Sequence, residues 1–198
     1  MTSFASKFVH ESGFTDAISL FNARQSENQI ALKLLNVSNI INLDYIDAAW
    51  REKADRSILR DWMPELNHLY PTSTNVFSGK IQKDDSHLIN LIEHDLKAIV
   101  DSETVLFAPL AIGNHIDHCI VRNVARDLPA KHHYYWADHP YVAYSKSQKQ
   151  LPIGPCIVQD PNPIKKQAFD CYKSQQAIIN HWYSIESEPE RFYRLQSL

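Results

Sequence analysis

The chain has 198 residues, 44% of them hydrophobic and 22% charged, which is ordinary for a soluble globular domain and argues against a disordered or fibrous class. Twenty Lys and Arg stand against 23 Asp and Glu, a formal net charge of −3, so no positive field is available to attract a nucleic-acid backbone. No run reaches the ~18 apolar residues of a membrane helix, and no secretion signal is visible at the N-terminus. The three cysteines, Cys119, Cys156 and Cys171, form no Cys-x-x-Cys pair, which suits a reduced compartment, and the expectation is a cytoplasmic protein.

In chain order, residues 14–35 read as a helix, with Ala17, Leu20, Phe21, Ile30, Ala31, Leu34 and Leu35 at helical spacing, Asp16 as its cap, and Arg24 three residues from Glu27. A short strand is expected over 38–44. Residues 54–83 hold Pro64, Pro71 and Gly79 among Ser and Thr clusters, a long connection with the makings of a lid. Asp84, Asp85 or Ser86 then caps a helix with the apolar face Leu88, Ile89, Ile92, Leu96 and Ile99. A strand over 104–108 leads into a loop and a helix carrying Ile120, Val121, Val124 and Ala125. Another strand covers 131–136, a short one falls within 152–158, and a final helix runs from Lys165 to about Tyr183. Strands alternating with helices imply an α/β protein with a mostly parallel sheet covered on both faces.

The chemistry is concentrated at residues 107–118, Phe-Ala-Pro-Leu-Ala-Ile-Gly-Asn-His-Ile-Asp-His. An apolar strand ends at Pro109 and Gly113, and two imidazoles and a carboxylate come next within four positions. Ligands in open α/β sheets bind outside the carboxyl ends of strands. Neutral imidazole is the commonest metal ligand, and an adjacent carboxylate can select its tautomer. Surface histidines with no role are the competing reading. Arg51 reads either as a contact for a substrate hydroxyl or anion or as an exposed residue near Glu52. Asp138 reads either as support behind the site or as an exposed turn carboxylate. Cys119 reads as a buried small residue.

With its flanks, Gly113-Asn114-His115-Ile116-Asp117-His118 resembles the second signature of the PIG-L or LmbE-like deacetylase family, Gly-x-His-x-Asp-His. Three further segments resemble that family in the same order. These are the Arg24 and Glu27 helix leading to Asp47-Ala48-x-x-Arg51, Trp136-Ala137-Asp138-His139-Pro140-Tyr141, and the helix bearing Lys165, Ala168, Tyr172, Ser174 and Gln175. The resemblance implies one Rossmann-like domain over 1–198, a mostly parallel sheet flanked by helices. It implies hydrolysis of an N-acetyl group from an amino sugar or glycoconjugate by zinc or another divalent metal. His118 would be the metal ligand, His115 the group that stabilises the oxyanion and protonates the amine, and Asp117 the residue that orients His115.

The family's opening signature, His-Pro-Asp-Asp-Glu, is not in this sequence. By the resemblance the first β-α-β unit is missing, the domain is N-terminally truncated and the metal site is incomplete. The alternative expectation is accordingly a catalytically inactive remnant or fragment that keeps the fold and serves as a binding or interaction domain.

Overall fold

The computed structural model describes residues 7–54, 64–143, 157–179 and 188–194. The chain divides into two compact units, one built from Met1–Asn42 with Asp160–Pro189 and one from Leu43–Gln159 with Glu190–Leu198.

In the first unit, α1 is Lys7–Glu11 and α2 is Ala17–Leu34. Asp16 caps α2 as the sequence implies, its carboxylate accepting from the Ser19 N–H at 2.8 Å. The helix stops where Asn36 turns left-handed (φ 59°), which lets the Val37 N–H reach the Leu32 carbonyl. Of the expected apolar face, Ala17, Leu20 and Ala31 are buried, while Ile30, Leu34 and Leu35 are exposed. The expected C-terminal helix forms as two: α6, Pro163–Phe169, and α7, Lys173–Ile179. Asn162 caps α6 ahead of a proline in its first turn, where no intrahelical N–H is lost. Glu27 of α2 binds the start of α7, accepting from the Ser174 N–H at 2.9 Å and the Ser174 hydroxyl at 2.7 Å. Tyr172 donates to Asn28 at 2.7 Å. The part of the expected helix beyond 179 lies outside the described residues.

The second unit is mixed α/β. Its helices are α3 (Ser73–Val76), α4 (Ser86–Lys97) and α5 (Ile116–Arg126), and its strands are β1 (Val105–Pro109), β2 (His132–Trp136), β3 (Ile157–Gln159) and β4 (Glu190–Tyr193). The four-stranded sheet has the order β1-β2-β4-β3. β1 and β2 run parallel, from Val105 opposite His132 to Pro109 opposite Trp136. β4 is antiparallel to both β2 and β3. The mostly parallel sheet read from the sequence is therefore corrected to a mixed one, because β4, which has no strong pattern of its own, returns between β2 and β3.

Residues 38–44 do not form the expected strand. They join no β-ladder among the described residues, Ile41 is exposed, and Asp44 is left-handed at φ 56°. The chain then makes a single 3-10 turn, Ala48–Trp50, capped by Asp47 through the Ala49 N–H at 2.8 Å.

α5 organises this unit. Ile116, Ile120 and Val124 recur every four residues and join Ala48, Leu69, Tyr70, Val76 and Ile92 in one cluster. Ala125, on an adjoining face, packs with Ala108, Leu110, Tyr135 and Tyr193 of the sheet. On α4, Ile92 is buried and Leu88, Ile89 and Leu96 are partly so, but Ile99 lies past the helix end and is exposed. Burial on two sides fixes the N-terminus of α5 relative to the β1 exit.

Candidate active site

The loop from Leu110 to Asn114 turns sharply, with Ala111 (φ 64°), Gly113 (φ 84°) and Asn114 (φ 59°) in the left-handed region. For Ala111 that conformation costs about 1–2 kcal/mol, strain of the kind that persists where surrounding contacts over-determine the backbone. The contact responsible is visible at the next residue. The Ile112 N–H donates to Asp138 Oδ2 at 2.8 Å.

Asp138 lies two residues beyond β2 and is 1% exposed. Its other oxygen, Oδ1, lies 2.7 Å from His118 Nδ1. The contact lacks hydrogen-bond geometry, so it is a close electrostatic approach of the carboxylate to the ring. A buried carboxylate beside an imidazole is a common support for a metal-ligating ring. Asp138 thus supports the site from behind, and the exposed-turn reading is set aside.

His115 is the N-cap of α5. Its Nδ1 accepts from the Asp117 N–H at 3.2 Å, which leaves Nε2–H as the donor of the neutral ring. Burial pulls the pKa of His115 below its ordinary value of 6.5, against the opposing pull of the Asp117 and Asp47 carboxylates. The two imidazoles are neighbours, with centroids 5.2 Å apart.

The Asp117 carboxylate does not orient His115; the link between them is the Asp117 backbone amide. Its side chain turns the other way, Oδ2 accepting from the Ala48 N–H at 2.9 Å and Oδ1 pairing with the Arg51 guanidinium. Arg51 is 8% exposed, so it is not the exposed residue of the competing reading. Most of its donors are committed: Nε lies 3.0 Å from Asp85 Oδ1, Nη2 donates to Asp85 Oδ2 at 3.2 Å, and Nη1 also reaches the Ile46 carbonyl at 3.2 Å.

Asp85 is buried and also accepts from the Tyr70 hydroxyl at 2.7 Å. Burial raises its pKa, with Tyr70 and Arg51 opposing, and burial likewise pushes the Tyr70 phenol up to about 12. For Arg51, burial pulls downward, but Asp117 and Asp85 more than offset it and the guanidinium stays charged. Sequence pattern assigned Asp85 only a capping role, and its carboxylate makes no capping bond to α4. Nothing local to an Asp-Asp-Ser cap marks one of its acids as the buried one.

Asp47, His115 and Asp117 form a group whose ligand atoms lie within 4.8 Å of one another, the candidate cation cluster among the described residues. His118 stands outside that group. The fit to a divalent metal is partial. His118 offers an imidazole with the Asp138 carboxylate beside it, but both Asp117 oxygens already serve Arg51 and Ala48, and His115 Nδ1 serves the Asp117 amide. A catalytic zinc normally has three protein ligands. The described residues do not supply that set ready-made.

Cys119 is buried, and desolvation raises its thiol pKa. His133 contacts the Leu128 carbonyl at 3.1 Å and His132 is exposed on the other side of β2, so neither joins the site. No helix among the described residues is long and apolar enough to cross a membrane. No protein-family model, no curated protein and no solved structure matches this chain.

Proposed function

We propose that the chain carries part of a metal-dependent amide hydrolase site of the PIG-L or LmbE-like kind, one that removes the N-acetyl group from an amino sugar or glycoconjugate. The observation that carries this reading is the 2.7 Å approach of Asp138 to His118, two residues from two separate family-like segments. Support also comes from the other two segments. Arg51 meets Asp117, and Glu27 meets Ser174, so each family-like stretch finds its partner in another. The parallel β1–α5–β2 unit, with the imidazoles beyond the strand ends, is in keeping with a Rossmann-like ancestry.

Amide hydrolysis needs an activated water, a donor for the tetrahedral oxyanion and a proton for the leaving nitrogen. A bound zinc would supply Lewis acidity and lower the pKa of its water to about 7. On this chain, His118 would hold the ion, with the buried Asp138 carboxylate beside its ring. His115, kept neutral by burial, would donate its Nε2–H to the developing oxyanion. Arg51 would act as a positioning residue that holds Asp117, rather than as a direct substrate contact. The free cysteines Cys119 and Cys171 suit a reducing, cytoplasmic setting.

The test is zinc titration of the full chain, and then NMR detection of acetate released from N-acetylglucosaminides. The expected result is zinc-dependent release that His118→Ala abolishes and His115→Ala lowers by ~10²-fold. A second reading, a binding domain without turnover, is favoured by the commitment of both Asp117 oxygens to other partners. Sugar binding with neither zinc uptake nor acetate release would establish it and overturn the hydrolase.

A further inference from the structure

Two aromatic side chains with no part in the proposed hydrolysis stand around the imidazole pair. The Phe77 ring meets the His115 ring edge-on at 5.2 Å between centroids, and the Tyr141 ring meets His118 in the same way at 5.8 Å. Phe77 and Tyr141 are themselves 5.6 Å apart and inclined at 61°, so the four rings close on one another.

Neither aromatic is loosely placed. Phe77 caps α3, whose Val76 is buried beneath it, and the chain then returns to the histidine loop through a Gly79 N–H to Asn114 carbonyl bond of 3.0 Å. The approach there is close, since a Cβ at position 79 would lie 3.2 Å from that of Asn114. Tyr141 rests on Gly113 so tightly that a Cβ at 113 would fall 2.7 Å from its ring. Even so, Phe77 is 41% exposed.

An apolar ring held in water forgoes about 25 cal/mol per Å² that a covering group would recover. Aromatic walls with a few polar groups are the composition of a small-molecule site, and here the polar groups are the imidazoles of His115 and His118. The chemistry narrows the ligand. Arg51 offers an anion no uncommitted charge, because Asp85 and Asp117 neutralise it. A flat aromatic ligand would be served by parallel platforms, whereas these rings make an angled corner. A pyranose presents one C–H face to pack on an aromatic ring and a rim of hydroxyls to bond with imidazoles.

We propose that Phe77 and Tyr141 form an aromatic subsite that receives the apolar face of the pyranose ring of an N-acylated amino sugar, with Phe77 as the specificity-determining residue. This rests on the hydrolase reading for the acyl group, but not for the ring.

Saturation-transfer NMR on the full chain, with methyl N-acetylglucosaminide and methyl glucoside as probes, tests it. The expected result is saturation of the ring C–H protons, with affinity roughly three- to tenfold weaker in Phe77→Ala and Phe77→Leu and kept in Phe77→Trp. Leucine preserves the apolar volume, and circular dichroism confirms that each variant is folded. Equal affinity in the wild-type chain and in Phe77→Leu, or no saturation of either sugar, overturns the subsite. Phe77-dependent binding without acetate release upholds the subsite and sinks only the hydrolase. Acetate release indifferent to Phe77 does the reverse.

Discussion

Asp138 Oδ1 and His118 Nδ1 lie 2.7 Å apart, while the other oxygen of the same carboxylate holds the Ile112 amide at 2.8 Å. One buried acid therefore holds the turn leaving β1 and lies against the imidazole at the start of α5. Replacing Asp138 with alanine strands a buried amide and frees the ring. Unfolding in urea should show a loss of about 1–3 kcal/mol, and zinc affinity should fall by about 10- to 100-fold.

The Arg51–Asp85 pair is buried on both sides, at 9% and 2% side-chain exposure. Removing Asp85 leaves Arg51 with Asp117 as counterion and strips the Tyr70 hydroxyl of its acceptor, so Asp85→Ala should cost about 1–3 kcal/mol. Arg51→Met combined with Asp85→Leu should cost less than the sum of the two single changes. A double variant as unstable as the sum of the singles would show that the ion pair is not the coupling element.

His115 gives the fold a pH dependence whose sign is set by its lowered pKa. The unfolded chain binds this proton more tightly than the folded one. The group therefore costs nothing above the unfolded value of 6.5, costs progressively more as the pH falls below it, and reaches its full cost below the folded pKa. Urea midpoints measured from about pH 8 down to about pH 5 should decline more steeply for the wild-type chain than for His115→Asn, which keeps a capping side chain without the titration.

Gly113 and Gly13 share a left-handed backbone, φ 84° and 82°, but differ in their surroundings. A Cβ at 13 meets nothing within 4 Å, so Gly13→Ala should cost about 1 kcal/mol. A Cβ at 113 runs into Tyr141, so Gly113→Ala should add about 1–3 kcal/mol and loosen the aromatic corner. Denaturant unfolding ranks the two, and near-ultraviolet circular dichroism reports the tyrosine.

Cys119 should resist alkylation in the folded protein, because its thiol is buried and its pKa is raised. Mass spectrometry after iodoacetamide treatment should show Cys171 modified first and Cys119 modified only with denaturant. Prompt labelling of Cys119 would mean the α5 N-terminus opens readily.

The sequence alone determined those elements whose signals are local. The Asp16 cap, the strand of β1, the helix of α5 and the strand of β2 are set by periodicity and capping, since hydrogen bonds within a helix join residues four apart. The two imidazoles and their place at a strand exit were legible for the same reason. Tertiary structure alone decided which carboxylate serves which base. Asp117, beside His115 in sequence, pairs with Arg51 across 66 positions, and Asp85, which reads as a cap, turns inward to the same guanidinium across 34. It also decided that β4 inserts between β2 and β3 and makes the sheet mixed. Such partners are selected by the cost of burying an unpaired charge or an open strand edge, and that cost exists only once the chain has closed around them.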